Sequence, residues 1–318
     1  MARLQDMFGA LDEVGTFMGL PSVPAHEVTG GIAVLGADGC TPYASVGFYC
    51  AGGAAAIRAG AAPYAANAGH VDFDLGGPML PTGALAVDCG DIAVDPGDGP
   101  GNRARIGEVI ATVLSRGAVP VLVGGDDSVQ IPMLAALAAR SDGAGPLAIL
   151  QIDAHIDWRD EIGGERWGLS STMRRASEMA GVGPIVQVGQ RGIGSARPQD
   201  VADARAAGVT FVSAREVAAD GIARALAAVP EGARVAICLD VDGLDPAIMP
   251  AVIGRTAGGL DYWQVLDLIE GVAAKARIAA VGLVEFMPGR DIDGQGALLA
   301  AQLLAATVGV VARQQSFK

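Results

Sequence analysis

Apolar runs of four to seven residues alternate with alanine-rich stretches along most of the chain. The runs are continuous rather than alternating in polarity, which is typical of parallel strands covered on both faces. The stretches between them predict helices, for example Ser128–Arg140 and Arg215–Ala228. The strand-like runs are Gly31–Gly36, Leu85–Asp91, Val119–Gly124, Leu147–Ile152, Ile185–Gly189, Val209–Val212, Val235–Leu239 and Ala280–Phe286.

This rhythm predicts an α/β fold with three layers, in which helices cover both faces of a parallel sheet of about eight strands. Residues 1–30 are predicted to form an N-terminal arm with one short helix, and residues 31–318 a single α/β domain. The most apolar stretch, Gly296–Ala312, is interrupted by Gln302 and Thr307 and is short for a bilayer span. A buried C-terminal helix is therefore expected there.

Acidic side chains directly follow four of the predicted strands. In open α/β sheets, ligands bind outside the carboxyl ends of the strands. We therefore expect these side chains to meet in one crevice. The acidic residues, with one histidine among them, are Asp126 and Asp127, then Asp153, His155 and Asp157, then Asp240 and Asp242, and finally Glu285.

The spacing of these residues suggests metal binding. Asp153, His155 and Asp157 occupy alternate positions just past a strand, and Asp240 and Asp242 share one side of an extended segment because side chains alternate with period two. Either group alone could be a solvated acidic loop. Two such groups after buried strands are harder to explain, because clustered carboxylates resist ionisation unless cations hold them. Oxygen-rich sites with some imidazole suit Mn²⁺, and nickel is possible.

Composition narrows the function further. Hydrophobic residues make up 51% of the chain, enough for a sizeable core, and the net charge is −13. This charge argues against binding to nucleic acids or anionic membranes and favours a small cationic ligand, although an ordinary acidic surface explains it equally well. The four cysteines show no C-x-x-C pairing, so unpaired thiols in a reducing compartment are expected. A cytoplasmic location is the corresponding expectation.

The acidic blocks resemble, in order and spacing, the signature blocks of the arginase/agmatinase/guanidinobutyrase ureohydrolases. The four main blocks are GGDDS (124–128), DAHID (153–157), DVDGLDP (240–246) and VEFMP (284–288). The resemblance runs from about residue 30 to the C-terminus, and the combination of blocks is far more specific than any one of them. Weaker similarities are found at AAAIR (54–58), VDCGD (87–91), TMRRA (172–176) and GGL (258–260).

The resemblance implies a binuclear centre, usually of Mn²⁺ and sometimes of Ni²⁺, that activates water for attack on a guanidinium carbon with release of urea. By its motif, Glu285 would clamp the guanidinium nitrogens, since a carboxylate pairs with them through two hydrogen bonds. The metal ligands that the resemblance implies are Asp153 and Asp240 bridging both ions, Asp127 and Asp157 at the first ion, and His155 and Asp242 at the second; Asp157 would also orient the nucleophile.

The sequence departs from the family pattern at three places. The family's GGDHS block has Asp127 in place of its histidine, and its second histidine, in the block at 168–175, is replaced by Leu169. The chain has only three histidines, of which only His155 lies in a signature block. The loop at Ala251–Ala257 also lacks the family's Gly/Thr/Pro pattern.

Three interpretations follow from these departures. Asp127 could still bind the first metal, giving a self-sufficient agmatinase-like enzyme with a weaker nucleophile. The first metal position could instead be lost while Asp153, His155 and Asp242 form a single-metal site like that of the related deacetylases. In the third interpretation, the chain is the metal-poor partner of a complete homologue. A carboxylate at position 127 also suits capping of the helix that begins near Ser128.

The third interpretation is preferred, because two histidines of separate blocks are lost while the strand cores are intact. It makes the chain similar to the degenerate subunit of nickel-dependent hetero-oligomeric ureohydrolases, of which the metformin hydrolases are an example. The partners expected are a homologous subunit with an intact metal site, in a trimer or hexamer, and a small cationic guanidine or biguanide as substrate. One observation argues against the third interpretation, because the chain retains most of the implied metal ligands: Asp153, His155, Asp157, Asp240 and Asp242.

Overall fold

The structure is a computed structural model, and it describes residues 15–140, 145–194 and 196–316. Its strands coincide closely with the apolar runs of the sequence. The strands are β1 (Gly31–Gly36), β2 (Ala86–Asp91), β3 (Ala118–Val123), β4 (Leu147–Ile152), β5 (Val182–Val188), β6 (Thr210–Val212), β7 (Arg234–Asp240) and β8 (Arg277–Val284).

All eight strands form one parallel sheet in the order β2-β1-β3-β8-β7-β4-β5-β6. Alternate side chains of each strand enter two separate cores. In β3, for example, Val119 and Val121 belong to one core and Leu122 to the other. The predicted three-layer fold with about eight parallel strands is therefore confirmed.

Nine α-helices lie among the described residues. The helices are α1 (Gly53–Ala61), α2 (Gly99–Ser115), α3 (Gln130–Ala138), α4 (Thr172–Ser177), α5 (Pro198–Ala206), α6 (Ala214–Asp220), α7 (Ala223–Ala228), α8 (Tyr262–Lys275) and α9 (Gln295–Ser316).

The stretch Arg215–Ala228, predicted as one helix, is two helices. Ser213 and Glu216 form a reciprocal capping box that starts α6. Gly221 then ends it with a left-handed backbone (φ 74°), and α7 begins two residues later. The prediction of a single helix is thus wrong because a glycine in the left-handed conformation terminates a helix at low cost.

Helix α9 is the expected buried C-terminal helix. By length and composition it could cross a bilayer, but 72% of its most apolar window is buried inside the fold. It packs against α1 and α8 and places Leu303, Leu304 and Val308 in the core. The apolar stretch is therefore accounted for by the core of the protein.

The predicted N-terminal arm lies partly outside the described residues. Residues 15–30 contain two short 3₁₀ helices, Phe17–Gly19 and Ala25–Glu27. Phe17 is buried, and its backbone N–H donates to Asp88 Oδ2 at 2.7 Å. The boundary at residue 30 stays a prediction.

A buried ion pair joins α1 to the edge of the sheet. Arg58 donates to both carboxylate oxygens of Asp88, at 2.8 and 2.9 Å, and to Asp91 Oδ1 at 2.5 Å. Arg58 is 9% exposed and Asp88 1%. Two of the weaker sequence similarities, AAAIR and VDCGD, are therefore the two halves of one structural contact.

Replacing Arg58 with methionine is expected to destabilise the fold by about 3 kcal/mol, because it leaves the Asp88 carboxylate buried without its cation. Urea unfolding measures the change. The matched control is Arg105→Met, which removes an exposed ion pair with Asp98 and should cost about 0–1 kcal/mol. Equal losses in the two variants would contradict a structural role for the buried pair.

Candidate metal centre and adjoining cavity

The predicted site residues come from four neighbouring strands in the middle of the sheet, β3, β8, β7 and β4. Asp127 follows β3, Glu285 follows β8, Asp242 follows β7, and Asp153 follows β4. Because the strands are parallel, their carboxyl ends share one edge of the sheet, and the side chains converge there. All of the predicted site residues lie at this edge, as expected.

The turn after β3 depends on two glycines. Gly124 and Gly125 both have left-handed backbones, with φ of 81° and 79°. A Cβ atom at Gly124 would lie 2.7 Å from the backbone nitrogen of Ala54. The tight turn directs Asp127 toward the site. Asp126, expected in the same crevice, instead caps the following 3₁₀ helix, with its Oδ1 accepting the Ser128 backbone N–H at 3.0 Å.

The acidic residues form two groups of possible metal ligands, in each of which the ligand atoms lie within 4.8 Å of one another. The group expected to hold the second metal ion, called the second group from here on, contains Asp153, His155 and Asp242. Its imidazole Nδ1 is 3.2 Å from Asp153 Oδ1 and 3.2 Å from Asp242 Oδ2. Two carboxylates and one imidazole therefore face a common point.

The first group contains Asp127, Asp157 and Asp240, all of them buried. The amide of Gln130 spans two of these carboxylates: its Nε2 donates to Asp127 Oδ1 at 2.6 Å and to Asp240 Oδ1 at 3.0 Å. The other oxygen of Asp127, Oδ2, is buried and has no hydrogen-bond partner among the described residues. Thus the neutral amide of Gln130 satisfies one oxygen of Asp127 and leaves the other without a hydrogen bond among the described residues.

A second glutamine connects the two groups. Gln151 Nε2 donates to Asp153 Oδ2 at 2.7 Å and to Asp157 Oδ2 at 2.5 Å. Gln187 in turn donates to Gln151 Oε1 and, at 2.8 Å, to the carbonyl of Ile156. This chain of amides fixes the direction in which Gln151 donates, since its oxygen is already used as an acceptor.

Burial and mutual repulsion dominate the electrostatics of the first group. Burial raises the pKa of Asp127, Asp157 and Asp240 well above the ordinary aspartate value, and the neighbouring carboxylates raise it further. In the absence of cations these groups are therefore harder to ionise than free aspartates, as expected for carboxylates crowded together away from water.

The second group behaves differently because it contains a base. Burial alone would lower the pKa of His155, but its hydrogen bonds to Asp153 and Asp242 raise the pKa to about 11. Burial likewise tends to raise the pKa of Asp153, yet the contact with His155 outweighs it and lowers the pKa below the ordinary value. Burial raises the pKa of Asp242 to about 6. Without metal, an imidazolium thus supplies the positive charge.

The two groups differ in how well their donor atoms suit a divalent ion. The second group offers one imidazole nitrogen and carboxylate oxygens, a set that fits a divalent ion such as Mn²⁺ or Ni²⁺. The first group offers only oxygens, and Gln130 already binds two of its three carboxylates. The second group therefore fits a divalent ion better than the first.

Glu285, expected to hold a guanidinium, is buried at the end of β8 with a left-handed backbone (φ 67°). Asp157 also has positive φ (44°). Such conformations cost about 1–3 kcal/mol and cluster at functional sites. The Tyr49 hydroxyl lies 2.6 and 2.7 Å from the two Glu285 oxygens, and the Asp127 backbone N–H donates to Oε1 at 2.8 Å. Burial raises the pKa of Glu285, although Tyr49 offsets part of this.

A cavity of about 150 Å³ opens onto these groups. Leu169, which occupies the position of the family's second histidine, is part of its wall. Ile253 and Gly254 from the unusual loop at 251–257 are another part. The sequence differences in the substrate region therefore lie where a bound molecule would contact them.

Arg191 ties together the loops around the cavity. Its guanidinium donates to the backbone carbonyls of Asp242 at 2.7 Å, Leu244 at 3.0 Å and Thr256 at 2.9 Å. It also donates to the carbonyls of Gly189 and Gly243, at 3.2 Å each. A single side chain therefore fixes three loops relative to one another.

Sequence reasoning missed several of these residues. Gln151 and Gln187 could have been noticed, because each is a polar residue inside an otherwise apolar strand. Gln130 lies three positions after Asp127, a helical spacing that places both side chains close together. No pattern singles out Tyr49 or Arg191, because both lie in irregular segments.

A parallel α/β sheet that brings carboxylates and an imidazole together at its carboxyl edge defines a class, the metal-dependent hydrolases with an arginase-like fold. A sequence profile described as the Arginase family matches residues 46–309. The chain belongs to the arginase family, and within it to the ureohydrolases that resemble agmatinase.

Known relatives support this assignment. An N(1)-aminopropylagmatine ureohydrolase of Thermococcus kodakarensis is 30% identical over 245 residues, covering 76% of this chain and 78% of the relative. The guanidinobutyrase of Pseudomonas aeruginosa is 31% identical, covering 71% of this chain and 72% of the relative. The solved proclavaminate amidino hydrolase of Streptomyces clavuligerus has a TM-score of 0.78 at 27% identity, covering 95% of this chain and 98% of that one.

Replacing Asp127 with asparagine should stabilise the metal-free protein at pH 8 by about 1 kcal/mol or more. Because burial raises the folded-state pKa of Asp127 above its ordinary value of 3.8, the unfolded chain ionises first, and stability is lost progressively as the pH rises from about 4 to the folded-state pKa. The advantage of the variant should shrink as the pH falls toward 4. Calorimetry in EDTA from pH 4 to 8 measures it, with Asp267→Asn, an exposed site on α8, as the control. If Asp127→Asn were less stable than the unaltered protein at pH 8, the inferred repulsion between Asp127 and its neighbouring carboxylates would be wrong.

Proposed function

We propose that this chain is the metal-degenerate subunit of a ureohydrolase assembly, paired with a homologous subunit whose metal site is complete. The assembly hydrolyses a C–N bond of a guanidine or biguanide and releases urea. The observation that carries the proposal is the state of the first ligand group, where aspartate stands in place of histidine and a glutamine amide spans two carboxylates.

The contacts of Gln130 support loss of the first metal position. An amide N–H that donates to Asp127 and Asp240 lies close to the oxygens that a cation would need. The Gln130 amide also stabilises the two carboxylates in the absence of a cation. The second group keeps its imidazole at 3.2 Å from two carboxylates and is the better candidate for metal binding in this chain.

Leu169 supports loss of turnover. Proton transfer by a positioned side chain commonly contributes about 10²–10⁴-fold to a rate. The wall of the cavity has leucine at the place where relatives have the histidine that can move protons, and His155 is the only histidine among the lining residues. Leu169 therefore supplies no proton to the leaving amine at that position.

In a complete centre, bound divalent ions supply positive charge that lowers the pKa of water and polarises the guanidine. In this chain, Asp153, His155 and Asp242 would hold one such ion, and Asp127, Asp157 and Asp240 would face a second. Glu285 would accept hydrogen bonds from guanidinium nitrogens. The buried acidic cluster favours a small cation over an anion as the ligand, and a cytoplasmic location suits the unpaired cysteines.

A second candidate is a self-sufficient agmatinase-like amidinohydrolase. The observation that favours it is the buried Oδ2 of Asp127, which has no hydrogen-bond partner among the described residues and could bind a metal directly. A single-metal, deacetylase-like amide hydrolase that uses only the second group is the remaining alternative. Metal content and urea release separate the three.

The purified chain, loaded with nickel or manganese, is expected to release at least about 100-fold less urea alone than with a homologous subunit carrying an intact GGDHS block. The substrates to test are agmatine, guanidinobutyrate and alkylated biguanides. An inactive control mixture contains the partner with its own metal histidine replaced. Full activity of the isolated chain would establish the self-sufficient enzyme instead.

Elemental analysis is expected to find about one divalent ion per isolated chain, because only the second group keeps a nitrogen donor. Asp127→His together with Leu169→His should raise this number toward two. Turnover need not return, since the loop at 251–257 also differs. His155→Ala is the matched control and should remove the ion that is present. Two ions in the unaltered chain would refute the loss of the first position.

A further inference from the structure

The Glu285 carboxylate already has a hydrogen-bond donor from the chain itself, the Tyr49 hydroxyl. The Tyr49 hydroxyl lies 2.6 Å from Oε1 and 2.7 Å from Oε2, so a single donor is shared between both oxygens. The Asp127 backbone N–H takes a further position on Oε1 at 2.8 Å. Few acceptor directions on this carboxylate therefore remain for a ligand.

A guanidinium binds a carboxylate with two parallel N–H donors, one to each oxygen. Its nitrogens would need to lie at distances of about 2.7–2.9 Å from the oxygens. That is the space that the Tyr49 hydroxyl occupies. The phenol and a guanidinium cannot both be on the open side of Glu285.

We infer that Tyr49 is an internal plug of the guanidinium position: it closes Glu285 in this chain, and a guanidine can bind there only when Tyr49 withdraws. The inference rests on the proposed assignment of Glu285 as the guanidinium-binding carboxylate. It adds a residue to which no signature block corresponds.

The segment that carries Tyr49 is built so that it can withdraw. Its ends are fixed, because the Thr41 N–H donates to Ser128 Oγ at 2.8 Å and the Gly52 N–H donates to Asp38 Oδ1 at 2.7 Å. Between these points, the described backbone–backbone hydrogen bonds are local, such as Tyr49 N–H to the Gly47 carbonyl at 3.0 Å. Moving the segment therefore breaks no bond to the sheet.

The backbone also contains two residues suited to a hinge. Gly47 and Gly52 have left-handed conformations, with φ of 61° and 77°, on either side of Tyr49. Glycine alone adopts such conformations without strain and can also leave them easily. The middle of the segment, residues 44–46, is exposed, whereas Tyr43 and Cys50 on either side of it are buried.

The test measures binding rather than turnover. Methylguanidinium chloride is titrated calorimetrically into the purified chain and into Tyr49→Phe and Tyr49→Ala, with methylammonium chloride as the comparison cation. Tyr49→Ala should bind methylguanidinium at least about tenfold more tightly than the unaltered chain, because no hydrogen bond to a charged group must first be broken. Tyr49→Phe should fall between the two, and methylammonium binding should change little.

Tyr43→Phe is the matched control. It lies in the same segment, and among the described residues its hydroxyl accepts a single long bond of 3.4 Å, from the Ser170 N–H. It should bind the probe as the unaltered chain does. Thermal unfolding of each variant establishes that it is folded. Unchanged or weaker methylguanidinium binding in both folded Tyr49 variants would overturn the plug.

A double variant separates this inference from the proposed function. In Tyr49→Ala with Glu285→Gln, the gained affinity should disappear, which supports both the plug and the role of Glu285. If the gain persists without the carboxylate, the probe binds elsewhere, and the assignment of Glu285 fails together with the plug. If Tyr49→Ala alone shows no gain while Glu285→Gln still abolishes weak binding by the unaltered chain, only the plug fails.

Discussion

The repulsion between buried carboxylates is the constraint on which the site depends. Parallel strands bring their carboxyl ends to one edge, and in this chain four neighbouring strands each have an acidic residue at or just past that end. Such a cluster folds only if protons, cations or hydrogen-bond donors compensate its charge. This chain supplies three kinds of donor itself: an imidazole at His155, amides at Gln130 and Gln151, and the phenol at Tyr49.

The fold was predictable because the signals for it are local and repeated. Continuous apolar runs define all eight strands to within a few residues, and β4 (Leu147–Ile152) has the same bounds in the sequence and in the structure. Helix ends were harder. The division at Gly221 depends on one residue taking a left-handed conformation, which composition alone does not reveal.

The convergence of the candidate ligands was predictable from the sequence, and the side chains that support them were not. Asp153, His155 and Asp242 lie together because period-two spacing after a buried strand fixes the direction of the side chains. The contacts of Gln130 and Tyr49 depend on distances between segments that are far apart in sequence, 110 residues for Gln130 with Asp240 and 236 for Tyr49 with Glu285. No local pattern contains that information.

The guanidinium of Arg191 has a consequence for how this protein can diverge from its relatives. It donates to backbone carbonyls and to no side chain among the described contacts, so its anchoring is indifferent to which residues occupy the loops around it. Residues 253–257 of the neighbouring loop lie outside the core and can therefore exchange their side chains while the backbone stays in register with the strand ends, whereas Ala251 and Val252 are buried. The cavity wall can therefore evolve separately from the edge of the sheet that carries the candidate metal ligands. The wall can change its specificity while that edge keeps its geometry.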